Sequence, residues 1–235
     1  PKNIYYYYQS WWTDKDVLHI SPHWNWQGKE DQPIDVWVNS NADNVELFLN
    51  GKSLGKKDMP RNGHLQWLVN YQPGKLEAVA FKKDRKLTAK AETTGKPFEV
   101  VVSPYKTTML ADGKDATVIN ISVIDRQGRE VPDAGNLIRF SVQGDAKIIG
   151  TGNGDPSSHE QDRYNDTVAQ RHLFNGKCQV ILQTGLSQSI IHFEANADSL
   201  WKGATDIISI QPGKPHHVDA TAQPYPVIPF KETKV

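Results

Sequence analysis

Short segments in which apolar and polar residues alternate recur along most of this chain, with turn residues between them and no helical stretch. In residues 34–39 the apolar members are Ile34, Val36 and Val38, and the same alternation recurs in residues 45–50. A period of two is that of a β-strand with one buried face. Because such segments follow one another about ten residues apart, we predict an all-β chain made of antiparallel β-sandwiches.

Asn50-Gly51 follows the second of these segments directly and predicts a tight hairpin. A type I′ turn needs positive φ at both central positions, which Asn and Gly tolerate best. Gly51-Lys52-Ser53 resembles the end of a phosphate-binding loop, but it lies in this predicted hairpin and the rest of the motif is missing. That motif requires a glycine where Glu46 stands, and it opens a helix. We therefore predict no nucleotide site here.

A second β region begins at Phe98, after residues 93–97, whose composition is that of a linker. Its roughly seven strands over about 110 residues are an immunoglobulin-like number, although the Cys…Trp…Cys hallmark is missing. We divide the chain into an aromatic-rich segment (1–26), a small β-sandwich (27–96), an immunoglobulin-like β-sandwich (97–212) and a Pro-rich extended tail (213–235).

The first segment carries an unusual load of aromatic residues. Eight of the chain's 22 Phe, Trp and Tyr residues lie in its first 26 positions. Each packed ring buries about 150–250 Å², so this segment must pack on a neighbouring domain. Residues 5–12 can form a short helix, whereas Ser21-Pro22 forces an extended step. With Pro1 first and no signal region, we expect a piece of a longer protein.

Charge and composition exclude several classes of function. The 27 basic residues balance 27 acidic ones, which argues against nucleic acid as a partner. No apolar run is long enough to predict membrane insertion. The single Cys178 cannot form an intramolecular disulfide or a Cys-based zinc site.

A search for catalytic or cofactor motifs is negative. Residues 150–154 have the glycines of a dinucleotide-binding loop, but no helix pattern follows them. There is no Gly-x-Ser-x-Gly elbow, and no pair of carboxylates stands out as the acid and base of a glycosidase. His19 and His23 would share a helix face, but the intervening proline favours structural roles for both. We expect no cofactor and no catalytic centre within this chain.

The acidic loop at residues 153–166 is a candidate calcium site. Its candidate ligands are Asp155, Glu160 and Asp162, since Ca²⁺ prefers clustered oxygen ligands. The alternative is a long solvated connection between sheets, in which Asn and Gly supply the turns.

Several strings resemble the C-terminal region of bacterial β-galactosidases of glycoside hydrolase family 2. YYYYQSWW (5–12) and VLHISPHWNW (17–26) resemble the end of the catalytic barrel in those enzymes. IDVWV (34–38) and VELFLNGKSLG (45–55) resemble the small β-sandwich that follows it. ADGKD (111–115), VPDA (131–134) and GTGNGDP (150–156) resemble the C-terminal immunoglobulin-like domain, which is similar to the repeats of invasin-type adhesins.

The resemblance implies a parent enzyme that cleaves terminal β-galactosides with retention, using two glutamates of an upstream barrel. Neither glutamate motif occurs in this chain, so no catalytic residue is carried over. Residues 1–26 would then be a remnant of that barrel, and residues 5–26 would contact the rest of it. The adhesin-like second sandwich favours a periplasmic or cell-surface enzyme, with the cytoplasm as the alternative.

Two further roles stay open beside that of a structural scaffold. The chain could be a carbohydrate-binding module, with Trp37 or Trp201 stacking on sugar rings of galactose-containing glycans. It could also be an adhesion-type domain that binds another protein. A planar row of exposed rings would favour sugar binding, whereas an apolar patch centred on residues 5–26 would favour the scaffold.

Overall fold

The computed structural model describes residues 2–213, in which one short helix precedes two β-sandwiches. This confirms the all-β prediction, and most of the predicted tail lies outside the described residues. The first part contains α1 (Asn3–Trp12), β1 (Leu18–Ser21), β2 (Pro33–Ser40), β3 (Asn44–Leu49), β4 (Lys52–Asp58), β5 (Leu65–Asn70), β6 (Lys75–Lys82) and β7 (Arg85–Glu92). The second contains β8 (Glu99–Pro104), β9 (Thr108–Leu110), β10 (Ala116–Ile124), β11 (Leu137–Gln143), β12 (Ala146–Gly152), β13 (Arg163–Asp166), β14 (Val168–His172), β15 (Lys177–Thr184), β16 (Ser189–Asn196) and β17 (Gly203–Ile210).

The first sandwich packs a sheet of order β1-β2-β5 against a sheet of order β4-β3-β6-β7. All neighbouring strands are antiparallel. The apolar phase of each alternating strand points into the shared core, as the sequence predicts. The turn from β3 to β4 has φ of 50° at Asn50 and 84° at Gly51, which confirms the predicted hairpin.

Residues 18–24 belong structurally to this first sandwich, although the sequence grouped them with the segment before it. Strand β1 pairs antiparallel with β2, which places Leu18 opposite Ser40 and Ser21 opposite Trp37. Ile20 and Trp24 are part of the same core as Val36 and Val38. The strand is only four residues long and ends at a proline, so its pattern is too short to stand out.

The second sandwich packs a sheet of order β13-β12-β15-β10-β8 against one of order β14-β11-β16-β17-β9. Strand β9 runs parallel to β17, whereas the other pairs are antiparallel. Cys178 lies in the core, where burial raises the pKa of its thiol to about 12 and so keeps it neutral and unreactive. Within residues 2–213 no helix has the length and apolar character needed to cross a bilayer.

A polar joint connects the two sandwiches, and its centre is the buried Asn25. The Asn25 amide donates to Thr94 Oγ1 at 2.7 Å and to Asp133 Oδ1 at 2.8 Å. Its carbonyl oxygen accepts the N–H of Thr94 at 2.9 Å. One side chain thus ties the first sandwich to the connecting segment and to the second sandwich.

Asp125 holds the connecting segment from the other side. Its carboxylate accepts the N–H of Gly95 at 2.8 Å and pairs with the Arg129 guanidinium at 2.7 Å. Burial alone would raise the pKa of Asp125, but these hydrogen bonds and those from the N–H groups of Arg129 and Gln127 lower it to about 2. Side chains on both sides thus hold the connecting segment by hydrogen bonds to the backbone N–H groups of Thr94 and Gly95.

Candidate functional site

Helix α1, which confirms the helix predicted at residues 5–12, lies on the outer face of the β1-β2-β5 sheet. Period two puts Trp37 and Asn39 on the side of β2 opposite the core residues Val36 and Val38. Two aromatic side chains anchor the helix to the loop before β5. The Tyr7 hydroxyl donates to the Asn62 carbonyl at 2.7 Å, and Trp11 Nε1 donates to the Gly63 carbonyl at 3.1 Å.

His19 of β1 supports the helix from below. Its ring stacks on Tyr6 with centroids 3.7 Å apart, and its Nε2 lies 3.1 Å from Asn3 Oδ1. Burial lowers the pKa of His19 to about 4, so the ring is neutral at physiological pH. This agrees with the structural role expected for it.

His19 makes the docking of α1 sensitive to acid. The unfolded chain takes up a proton near the ordinary pKa of 6.5, whereas the folded chain does so only near 4. Stability therefore falls as the pH drops from 6.5 towards 4. We expect His19→Gln to remove part of this dependence when urea unfolding is followed across that range.

His192 provides a control, because folding raises its pKa whereas folding lowers the pKa of His19. Its hydrogen bond to Asp206 raises its pKa, so its contribution is complete below 6.5 and is lost as the pH rises through the raised value. His192→Gln should therefore leave the loss between pH 6.5 and 4 in place. An unchanged acid slope in His19→Gln would refute the role given to His19.

An ion pair fixes the direction in which the chain leaves α1. Asp16 Oδ1 accepts from Arg85 Nη2 at 2.9 Å, and Asp16 Oδ2 lies 2.5 Å from Arg85 Nη1. Lys82 Nζ lies 3.3 Å from the same carboxylate. Both cations stand beside the hairpin between β6 and β7, so the segment after α1 is held at two points.

The other side of α1 carries an exposed apolar stripe. Ile4, Tyr8 and Trp12 are spaced four residues apart and therefore share one helix face. All three are exposed, Trp12 to 76% of its surface, and Tyr5 extends the stripe. The stripe is narrower than the apolar patch expected around residues 5–26, because it ends at Trp12 and Trp24 is buried in the core of the first sandwich.

A cleft of about 650 Å³ opens between α1 and the sheet beneath it. It is lined by one side of α1, by residues 62–64, and by Ser21, Trp37 and Asn39. Trp37 is 42% exposed and stacks on His64 with centroids 4.1 Å apart. Trp37 is thus partly exposed and also lies beside the first segment.

Trp201, the other aromatic candidate, lies in the second sandwich. It is 67% exposed and packs against Phe98 with centroids 5.4 Å apart. Because Trp37 belongs to the first sandwich, the two rings do not form one flat platform for a glycan.

The carboxylates of the acidic loop accept hydrogen bonds from other residues of the protein. Glu160 pairs with His172 at 2.8 Å, and Asp162 pairs with the buried Arg171 at 2.6 Å. Asp155 accepts the N–H of Ser157 at 2.9 Å. Within the described part of the chain, no three His, Cys, Asp or Glu side chains group as metal ligands. Calcium binding stays a prediction without a preformed ligand set.

Sequence reasoning missed the residues that assemble these features. In β14 the alternating buried positions are Ala169 and Arg171. The alternation of this strand was therefore the signal that could have predicted a buried arginine. The anchors Tyr7 and Trp11 are four residues apart, a signal that they share a helix face. Ser21 and Asn39 gave no signal, because only the docking of α1 brings them to a cleft.

Two family models match the chain. The model described as glycoside hydrolase family 2 C-terminal domain 5 matches residues 100–206, most of the second sandwich. A model for a domain of unknown function, DUF4982, matches residues 31–89 in the first sandwich.

Similar proteins carry glycosidase names. A β-galactosidase of Bacteroides ovatus, BoGH2A, is 46% identical over 188 residues, which are 78% of this chain and 21% of that protein. A putative β-glucuronidase of Formosa agariphila is 36% identical over 77% of this chain and 18% of its own length. The crystal structure of a β-glycosidase from Bacteroides vulgatus superimposes with a TM-score of 0.81 at 34% identity, over 88% of this chain and 26% of the other. The chain thus spans about a fifth of the curated relatives' length.

Proposed function

This chain belongs to the C-terminal region of glycoside hydrolase family 2 enzymes, and we propose that it is a non-catalytic scaffold on which the catalytic domain of its enzyme rests. The contact is the outer face of α1, and the partner is the upstream catalytic barrel of the same chain. The 46% identity to a β-galactosidase supports an enzyme that hydrolyses terminal β-galactosides. The catalytic carboxylates belong to that barrel.

The observation that carries the proposal is a short helix with two aromatic faces. A helix of ten residues is marginal by itself in water, and α1 owes its place to the contacts of Tyr7 and Trp11 with the sheet side. The side chains of its outer stripe form no hydrogen bond to the sheet or to the loop before β5 within residues 2–213. Soluble proteins rarely leave an apolar patch of this kind uncovered, and the catalytic domain is the partner that precedes it.

The proposal also explains why polar contacts hold the chain after α1 and the joint between the two sandwiches in place. Asp16 holds the exit from α1 against Arg85, and Asn25 joins the two sandwiches. A helix that served only as a tether would need neither. We infer that these contacts hold α1 in one orientation towards the catalytic domain.

Replacing Trp12 with serine in the full-length enzyme should lower its resistance to heat. Trp12 would lose a burial worth about 2 kcal/mol, so we expect an earlier thermal inactivation midpoint. The value of kcat/KM at 25 °C should stay within about twofold, since α1 takes no part in the chemistry. Activity assays after graded heating measure both quantities.

Tyr105→Ser is the matched control, because Tyr105 is equally aromatic and exposed but lies in the second sandwich. It should leave the inactivation midpoint unchanged. Equal midpoints for the Trp12 and Tyr105 variants would refute the contact. A large loss of kcat/KM in the Trp12 variant without a change in midpoint would refute the non-catalytic role.

A further inference from the structure

We propose that the cleft between α1 and the β1-β2-β5 sheet binds a neutral pyranose unit of a glycan. The cleft's volume of about 650 Å³ lies within the range of small-molecule sites. This site goes beyond the scaffold role, because Ile4 is the only residue of the outer stripe that also lines the cleft.

Two polar residues with little exposed surface line the cleft. Ser21 is 6% exposed and Asn39 is 4% exposed. Neither side chain forms a hydrogen bond to any of residues 2–213. Neither of them is among the fully buried polar atoms without a partner in the described residues. Their polar atoms therefore still reach the cleft, where water or a ligand can bind them.

The chemistry of these two side chains fits sugar hydroxyls. The Asn39 amide offers both a donor and an acceptor, and the Ser21 hydroxyl can act as either. A sugar hydroxyl also donates and accepts. Strand pairing sets Ser21 directly opposite Trp37, so polar and aromatic groups lie side by side on one face.

Trp37 supplies a rigid aromatic wall. Its Nε1 donates to Asp35 Oδ2 at 2.9 Å, and the other oxygen of Asp35 accepts from Gln66 Nε2 at 2.7 Å. His64 stacks on the indole at 4.1 Å. A ring held in this way loses little freedom on binding, which favours affinity for the apolar C–H face of a pyranose.

The lining predicts selectivity by charge. Among the nine residues that line the cleft there is no Lys, Arg, Asp or Glu. A uronate carboxylate would enter without a cation to pair with, and an unpaired charge is costly to desolvate. The site should therefore prefer a neutral hexose to a uronic acid.

The test is a titration of the chain with methyl β-galactoside, with methyl β-glucuronide as the charged comparison. The readout is the NMR signal of the Trp37 indole N–H, assigned with Trp37→Phe. We expect a saturable shift with a millimolar Kd for the galactoside and a clearly weaker response to the glucuronide. An absence of saturable shift, or equal affinity for the two sugars, would overturn the proposal.

Three variants separate binding from folding. Ser21→Ala should weaken binding about 2–10-fold, the usual value of one hydrogen bond, while Tm stays unchanged because this hydroxyl bonds to no other described residue. Trp37→Leu should weaken binding by at least about tenfold, and the matched Trp201→Leu should not change it. Unchanged affinity in Ser21→Ala and Trp37→Leu, or an equal loss in Trp201→Leu, would overturn the assignment.

Discussion

Replacing Trp24 with alanine is expected to destabilise the first sandwich by about 3–5 kcal/mol. Trp24 is fully buried, and its ring meets Tyr71 edge to face with centroids 5.2 Å apart. Its Nε1 donates to the Gln72 carbonyl at 3.0 Å. The substitution would therefore open a cavity and also leave a carbonyl without its partner. Denaturant unfolding, followed by fluorescence and circular dichroism, measures the loss.

Trp12→Ala is the matched control for this prediction, because Trp12 is exposed. In the isolated chain, where nothing covers this ring, we expect it to change the free energy of unfolding by less than about 0.5 kcal/mol. The two sandwiches have separate cores, so the Trp24 variant should destabilise the first more than the second. A loss below about 1 kcal/mol would contradict the place given to Trp24 in this core.

Asp125→Ala is expected to cost about 3 kcal/mol, because it removes the acceptor at the joint between the sandwiches. The N–H of Gly95 and the guanidinium of Arg129 would both lose their partner. The loss should appear in denaturant unfolding at neutral pH. Asp198→Ala is the control, since the Asp198 carboxylate is 85% exposed and its ion pair with Arg139 should matter little.

Acid should remove the effect of the Asp125 substitution. The pKa of Asp125 is lowered from 3.8 to about 2 in the folded chain. Its contribution is complete above pH 3.8 and is lost as the pH falls towards 2. The difference between the Asp125→Ala variant and the unchanged chain should therefore shrink across this window. A constant difference down to pH 2 would contradict the ionised, hydrogen-bonded carboxylate.

Local patterns predicted the strands and the hairpin because each depends on neighbouring residues only. The alternation at 34–39 fixes which side of β2 is buried, and Asn50-Gly51 fixes the turn after β3. The joint could not be predicted in this way, since Asn25 and Asp133 are 108 residues apart in the chain. No local signal links two such polar residues.

The candidate site escaped prediction for a similar reason. Trp37 stood in the polar phase of its strand, and sequence alone left open whether it would be exposed or covered. In the structure Trp37 is partly exposed, and it also lines the cleft that α1 forms with the sheet. Ser21 ends a four-residue strand, and its burial depends on a helix that precedes it by several residues. Tertiary docking, rather than local propensity, decides these environments.

The solvent reactivity of Trp12 tests the contact between α1 and the catalytic domain most directly. Hydroxyl-radical footprinting would compare the oxidation rate of this side chain in the isolated chain, where it is exposed, with that in the full-length enzyme. We expect the rate to fall several-fold in the full-length enzyme, while the exposed Trp201 keeps its rate as an internal reference. Equal rates for Trp12 in the two proteins would contradict the scaffold role.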